Sequence, residues 1–160
     1  MSEFTTIKGS NSYRGSSIWE RNVVLNIVSV ELPTTALQTN DITWLMYVPE
    51  GAIVTEAYVK ADAIDSGTSI GFNIGDTATT NLFFNAVTTV GRAAAGMLGL
   101  ASTSTARYTK FASATRIKLT VTTTAQTAAA GTLMFGLEYI IDSSNSISTA
   151  TGETPITITA

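Results

Sequence analysis

The chain has 160 residues, a formal net charge of −3, no cysteine and no histidine. The composition therefore excludes disulfides, thiolate chemistry, and the commonest general base and transition-metal ligand. Only 13% of the residues are charged, against about 25% in an ordinary globular domain, and the basic residues are scattered. A nucleic-acid partner is not expected, because phosphate binding requires clustered lysine and arginine.

The length predicts one domain, and no apolar run approaches the roughly 18 residues of a membrane span. The first ten residues lack the apolar core of an export signal. With so few charges, the surface must consist largely of neutral polar groups. Such a surface suits dense packing against copies of the chain or a partner, and compositional drift in an all-β protein explains it equally well.

Residues 1–21 form a polar leader with isolated apolar side chains at Phe4, Ile7, Tyr13, Ile18 and Trp19. They are too few to form a core, yet the leader is more aromatic than a typical flexible tail. We interpret it as an arm that lies on a neighbouring surface. The alternative is a disordered start that becomes a first strand near Ser17.

The next two segments predict strands, a β-prone run at 22–32 and, after a loop, residues 42–48. In the second strand, alternation assigns one face to Ile42, Trp44, Met46 and Val48, and the other to Thr43, Leu45 and Tyr47. Apolar groups on both faces indicate a central strand or one covered by a partner. Pro49-Glu50-Gly51 then predicts a turn.

Residues 53–63 have the clearest period of a half-buried strand. Alternation assigns the apolar face to Ile53, Thr55, Ala57, Val59, Ala61 and Ala63. The other face receives Val54, Glu56, Tyr58, Lys60 and Asp62. Turn residues at 65–67 and 75–76 enclose a strand at 69–74, and residues 77–90 contain a further short strand.

The segment 91–101, rich in glycine and alanine, is either a short helix or a loop, and its glycines weaken the helix. We expect it to be buried, within the fold or between subunits, because an apolar loop left in water would be an association site. Further strands are predicted at 105–111, 115–124 and 133–141. Residues 155–159 form a last strand-like piece, which pairs either with its own sheet or with a neighbour's.

About eight strands and no long helix predict an all-β, single-domain antiparallel β-sandwich, most simply a jelly roll. The predicted division is an N-terminal arm at 1–21, a sandwich core at 22–142 and a C-terminal extension at 143–160. The extension contains a possible edge strand.

The sequence offers little catalytic chemistry. Residues 67–71 match the G-x-S-x-G nucleophile elbow, but a strand follows where a helix is needed and no histidine can accept the proton. Glu56 and Asp62 are weak candidates for an acid–base pair. Asp65 and Asp76 fit turns better than a calcium site. No phosphate-binding motif occurs, so no cofactor is predicted.

Trp44, Tyr47 and Tyr58 are candidates for a carbohydrate-stacking platform. Tyr47 and Tyr58 flank the same turn, so the pattern allows them to be cross-strand neighbours. A cross-strand aromatic pair more often stabilises a sheet than binds a ligand.

The region from residue 42 to 142 resembles small virion proteins of tailed phages, of the capsid decoration (cement) type. The residues that carry the resemblance are the Pro49–Gly51 turn, the alternating strand 54–59, the turn 65–67, Gly75-Asp76 and the late strand 137–142. The resemblance implies a jelly roll or β-sandwich without an active site. It also implies a location on the outer capsid surface after assembly in the host cytoplasm, with the major capsid protein as partner and often a homotrimer.

This resemblance leads to a first hypothesis, a non-enzymatic cement protein. Its predicted capsid contacts are Phe4, Tyr13, Arg14 and Trp19. Its predicted subunit contacts are Met97 and Leu98 in the 91–101 segment and Ile156 and Ile158 in the terminal strand. The alternatives are a head–tail or tail-fibre structural module and a lectin-like carbohydrate-binding jelly roll.

Overall fold

The computed structural model describes residues 3–4, 7–14, 23–32, 37–67, 69–92, 95–101 and 104–141. Ten strands lie in these ranges: β1 (Glu3–Phe4), β2 (Ile7–Arg14), β3 (Val23–Leu32), β4 (Ile42–Val48), β5 (Ala52–Ala61), β6 (Gly71–Gly75), β7 (Phe84–Val87), β8 (Gly96–Gly99), β9 (Thr115–Thr123) and β10 (Gly131–Ile141). The same ranges contain no helix, and so none that is long and apolar enough to cross a membrane.

The strands form two five-stranded sheets. The first, sheet A, has the order β1-β4-β9-β6-β7, and the second, sheet B, has the order β2-β3-β10-β5-β8. All pairings are antiparallel except that of β1 with β4. The predicted all-β antiparallel sandwich is confirmed. The chain passes repeatedly from one sheet to the other, and the jelly roll remains a prediction.

The core lies between the two sheets. Phe135 at the centre of β10 is fully buried and packs against Phe83 of the opposite layer, with ring centroids 5.8 Å apart. Leu133, Phe135, Leu137 and Tyr139 are buried in alternation along β10. Each buried side chain of this size contributes roughly 1.5–3 kcal/mol, so this layer is the main source of stability.

A β-bulge in β5 corrects the predicted faces of the most regular strand. Glu56 lies opposite Glu138, but the next partner, Tyr139, lies opposite Val54, so Thr55 is an extra residue. An extra residue reverses the alternation beyond it. Ala57, Val59 and Ala61 point inward as predicted, whereas Val54 is buried and Ile53 is only half-buried. The prediction was therefore wrong for Ile53 and Val54.

A similar irregularity in β4 separates its aromatic residues from the predicted faces. Trp44 lies opposite Lys118, and Met46 lies opposite Ile117, so Leu45 is the additional residue. As a result Trp44 and Tyr47 share the outer side of sheet A, although simple alternation placed them on opposite faces. Leu45 and Val48 are buried. The predicted turn follows, with Gly51 at a φ of 78° that favours glycine.

The structure also corrects two weaker predictions. Residues 105–108 form a turn in place of part of the predicted strand at 105–111, and only Lys110 makes an isolated bridge, to Ile53. In the 91–101 segment, residues 96–99 form β8, an edge strand paired with β5. Leu100 is buried as expected, whereas the side chain of Met97 is exposed to solvent in the single chain.

Candidate interaction surfaces

The carboxylates considered for catalysis have structural partners. Glu56 pairs with Arg107 at 2.5 Å, and Asp62 accepts a hydrogen bond from the backbone of Thr132 at 2.8 Å. Ser69 of the G-x-S-x-G segment donates its hydroxyl to Asp65 at 3.4 Å, and a strand follows it. Within the described ranges, no three acidic side chains come together as a metal site.

Arg107 fixes the bulge of β5 to the turn at 105–108. Besides pairing with Glu56, its guanidinium donates to the carbonyl oxygen of Thr55 at 3.0 Å and to those of Leu100 and Ala101 at 3.3 Å. Glu56 lies directly opposite Glu138, so two carboxylates are close together beside the bulge. The ion pair with Arg107 neutralises one of them, Glu56. The other, Glu138, accepts a hydrogen bond from the Thr55 hydroxyl at 2.7 Å.

Asp65 is a buried carboxylate that joins two loops. The residue is 0% exposed. Its oxygens accept hydrogen bonds from the N–H groups of Gly67, Ser69, Ile70, Gln126 and Thr127, at 2.8–3.3 Å. Arg92 supports the same loop by donating to the carbonyls of Ile70 and Ser69. The residue was predicted as a turn former; the structure adds a link between segments more than 60 positions apart.

The hydrogen bonds to Asp65 outweigh the effect of its burial on its pKa. Burial alone raises the pKa of a carboxyl, but the N–H donors of Thr127, Ile70, Gln126 and Gly67 hold this one at about 2. The ordinary value is 3.8. The carboxylate therefore stays ionised through fixed backbone dipoles, with no ion pair to it among the described residues.

This depressed pKa predicts a loss of stability in acid. A carboxyl with a lower pKa in the folded state contributes its full stabilisation above its unfolded pKa and loses it as the pH falls through the folded value. The contribution is about 2 kcal/mol, and it should disappear progressively between about pH 5 and pH 1. Chemical denaturation at several pH values measures it. In Asp65→Asn this part of the pH dependence should be absent; an identical pH dependence in both proteins would contradict the assignment.

The outer face of sheet A carries a cluster of aromatic and basic residues, Trp44, Tyr47, Arg116 and Lys118. Neighbouring strands β4 and β9 bring them together, with Trp44 opposite Lys118 and Tyr47 opposite Arg116. The guanidinium carbon of Arg116 lies 4.1 Å from the ring centroid of Trp44 and 5.1 Å from that of Tyr47. The Lys118 ammonium lies 5.9 Å from the Trp44 centroid. We call this set the Arg116 cluster.

The carbohydrate platform predicted from Trp44, Tyr47 and Tyr58 does not form as a unit. Trp44 and Tyr47 belong to sheet A, whereas Tyr58 belongs to sheet B. The ring of Tyr58 lies over Gly136 on the neighbouring strand, where a Cβ atom would overlap it. Burial in this position raises the pKa of Tyr58. Tyr58 therefore covers a glycine in the sheet and takes no part in the Trp44 surface.

The edges of β7 and β8 form another candidate contact region. A cleft of about 310 Å³ lies between them, with apolar walls from Phe83, Phe84, Val87 and Leu98. Met97 on β8 is 69% exposed, and Leu98 is half-buried against the core. An edge strand with free backbone groups and an exposed apolar side chain is suited to pairing with another chain.

The other predicted contact residues lie apart from this region. Phe4 is in β1 and has Thr43 as its partner, while Tyr13 and Arg14 are in β2, opposite Leu25 and Val24. Both strands belong to the chain's own sheets: β1 pairs with β4, and β2 pairs with β3. Trp19, Ile156 and Ile158 lie outside the described residues. The roles of all these residues in binding remain predictions.

In the sequence the basic residues are scattered, and their pattern does not predict the Arg116 cluster. The alternation of β9 does place Arg116 and Lys118 on its outer face. However, the pairing of β9 with β4, and the bulge that brings Tyr47 beside Trp44, have no local sequence signal.

Solved structures of phage capsids contain chains with the same fold. A chain of the cyanophage Pam1 capsid is 25% identical, with a TM-score of 0.66 over 81% of this chain and 91% of its own length. A chain of the Ralstonia phage GP4 capsid is 23% identical, with a TM-score of 0.64 over 81% and 90%. A chain of the acid-stable capsid of Helicobacter pylori phage KHP30 is 14% identical, with a TM-score of 0.51 over 82% and 94%.

The sequence matches no protein-family model and no curated protein. The GP4 and KHP30 chains establish a likeness of fold alone. The Pam1 chain, which is 25% identical and similar over nearly its whole length, supports a phage capsid-related structural protein.

Proposed function

We propose that the chain is a non-enzymatic decoration (cement) protein, which binds the outer surface of a phage capsid and stabilises the shell. The observation that carries this proposal is the similarity to a phage capsid chain over 81% of this chain and 91% of that one. Fold alone does not define function, since β-sandwiches serve many roles. The structural partners of Glu56, Asp62 and Ser69 are consistent with a role that needs no catalysis.

In this proposal the protein acts mechanically. Trimers bind where subunits of the major capsid protein meet, and they resist the pressure of packaged DNA by burying apolar surface at about 25 cal/mol per Å². Three linked footprints add avidity. The leader residues Phe4, Tyr13, Arg14 and Trp19 contact the capsid. The β8 edge with Met97 and Leu98, together with Ile156 and Ile158, contacts neighbouring subunits, and the exposure of Met97 supports this part.

The test is to add the purified protein to expanded empty capsids of the phage that encodes it. We expect co-sedimentation with the shell and a rise in the melting temperature of the capsid. Light scattering of the free protein should give the mass of a trimer, and Met97→Lys should lower that mass. Lack of binding, or binding that leaves the melting temperature unchanged, would refute the cement function.

Electron microscopy of labelled particles tests the position in the virion. A cement protein should cover the shell, whereas a head–tail or tail-fibre module would label a single vertex. The lectin-like function is an alternative with a separate test. On a glycan array, binding that is lost in Trp44→Ala and kept in Tyr58→Ala would support it, since Tyr58 lies on the other sheet.

A further inference from the structure

The Arg116 cluster places two positive charges side by side on the outer face of sheet A. Among the described residues, neither Arg116 nor Lys118 has an ion pair or a hydrogen bond to an acceptor. Two other arginines have partners within the fold: Arg107 pairs with Glu56, and Arg92 donates to two backbone carbonyls. The chain has a net charge of −3, so two adjacent cations without an acidic partner among the described residues form a local positive site.

The geometry of the cluster restricts what it can bind. Trp44 and Tyr47 lie within cation–π distance of the Arg116 guanidinium. This attraction limits the motion of the guanidinium and keeps it beside the two rings. Its N–H groups have no hydrogen-bond acceptor among the described residues, and their planar fork fits a carboxylate through two parallel hydrogen bonds. The Lys118 ammonium adds a second positive charge beside the same ring.

The same geometry disfavours a sugar. Stacking of a sugar ring needs an open aromatic face, and the Arg116 guanidinium lies 4.1 Å from the centroid of Trp44. A nucleic acid is also disfavoured, because two cations on a net acidic chain give little of the phosphate neutralisation that supports such binding. An acidic protein segment requires neither an open ring face nor an extended basic surface.

We infer that the Arg116 cluster is a docking site for the carboxylates of an acidic segment on the partner protein. This inference rests on the proposed function, in which the partner is the capsid shell, and adds which face of the sandwich meets it. It assigns a contact to the outer face of sheet A, on the strand next to Phe4 of the leader and separate from the β8 edge. Charge complementarity supplies the specificity, because a guanidinium–carboxylate pair forms only where the partner presents an acid in register.

The first experiment is an NMR titration with hexaglutamate, observed at the indole N–H signals. The chain has two tryptophans, Trp19 and Trp44, so Trp19 is an internal reference. We expect a saturable shift of the Trp44 signal that weakens as salt is added. Absence of that shift would overturn the inference, as would a stronger response to a neutral oligosaccharide or to a DNA oligonucleotide.

Matched variants locate the binding. Arg116→Gln should weaken hexaglutamate binding about tenfold or more, the loss expected for a charge-assisted hydrogen bond. Lys118→Gln should weaken it by about fivefold. Lys60→Gln, which removes an exposed lysine on sheet B, should leave it unchanged. Circular dichroism verifies that each variant is folded. Equal losses in the Lys60 and Arg116 variants would also overturn the inference.

The capsid assay separates this inference from the proposed function. If the natural protein binds capsids and Arg116→Gln binds at least about tenfold more weakly, both are supported. If the two proteins bind capsids equally, the inference is wrong and the cement function stands. If neither binds capsids while hexaglutamate still shifts Trp44, the cement function fails, and the carboxylate site stands with another partner.

Discussion

Replacing Asp65 with alanine is expected to lower the free energy of unfolding by about 3–5 kcal/mol. The substitution removes the acceptor for backbone N–H groups in two loops, including those of Ile70 and Thr127, at 2.9 and 2.8 Å. Each buried donor left without a partner costs about 1–3 kcal/mol. The site is fully buried, so water can replace the carboxylate only after the loops separate.

Denaturant unfolding of purified variants measures the effect. Asp65→Asn keeps the shape and one acceptor oxygen, so its loss should be smaller, about 2 kcal/mol. Asp62→Ala is the control, since this exposed carboxylate makes one bond to a backbone N–H, and its loss should stay below about 1 kcal/mol. A variant Asp65→Ala as stable as the control would show that the loops are held together by other contacts.

Replacing Gly75 with alanine is expected to cost about 3 kcal/mol or more and to disrupt the connection between β6 and β7. A Cβ atom at this position would overlap the carbonyl oxygen of Thr79 and would lie 2.7 Å from the backbone nitrogen of Leu82. Both obstacles are backbone atoms, so no change of rotamer relieves the overlap. The turn must open, and hydrogen bonds such as that from Phe83 N–H to Ile74 C=O, at 2.9 Å, would be lost.

Gly99→Ala is the matched control for this substitution. Gly99 also lies in a strand, but an added Cβ meets no atom within 4 Å. Its stability should be unchanged or raised by less than about 1 kcal/mol, because alanine has less freedom than glycine in the unfolded chain. Thermal unfolding of both variants compares them directly. Similar losses in the two would mean that strand propensity, not the close backbone approach, determines the cost.

The candidate contact surfaces were predictable only in part. The 91–101 segment was identified from its glycines and apolar residues, and the structure places the exposed Met97 there. The Arg116 cluster was not predicted, although each of its residues lies in a predicted strand. Its formation depends on the pairing of Trp44 with Lys118 across 74 positions of sequence (118 − 44), and an alternating pattern does not specify such a partner.

The sequence by itself determined the class of structure and the absence of histidine and cysteine chemistry. Period-two alternation is local, so strands such as 42–48 and 133–141 could be recognised from their own residues. The tertiary structure alone decided the two bulges, at Leu45 and Thr55, the sheet to which Tyr58 belongs, and the convergence of two loops on Asp65. These features depend on which distant strands pair and in what register, which is fixed by the closure of the whole sandwich and not by neighbouring residues.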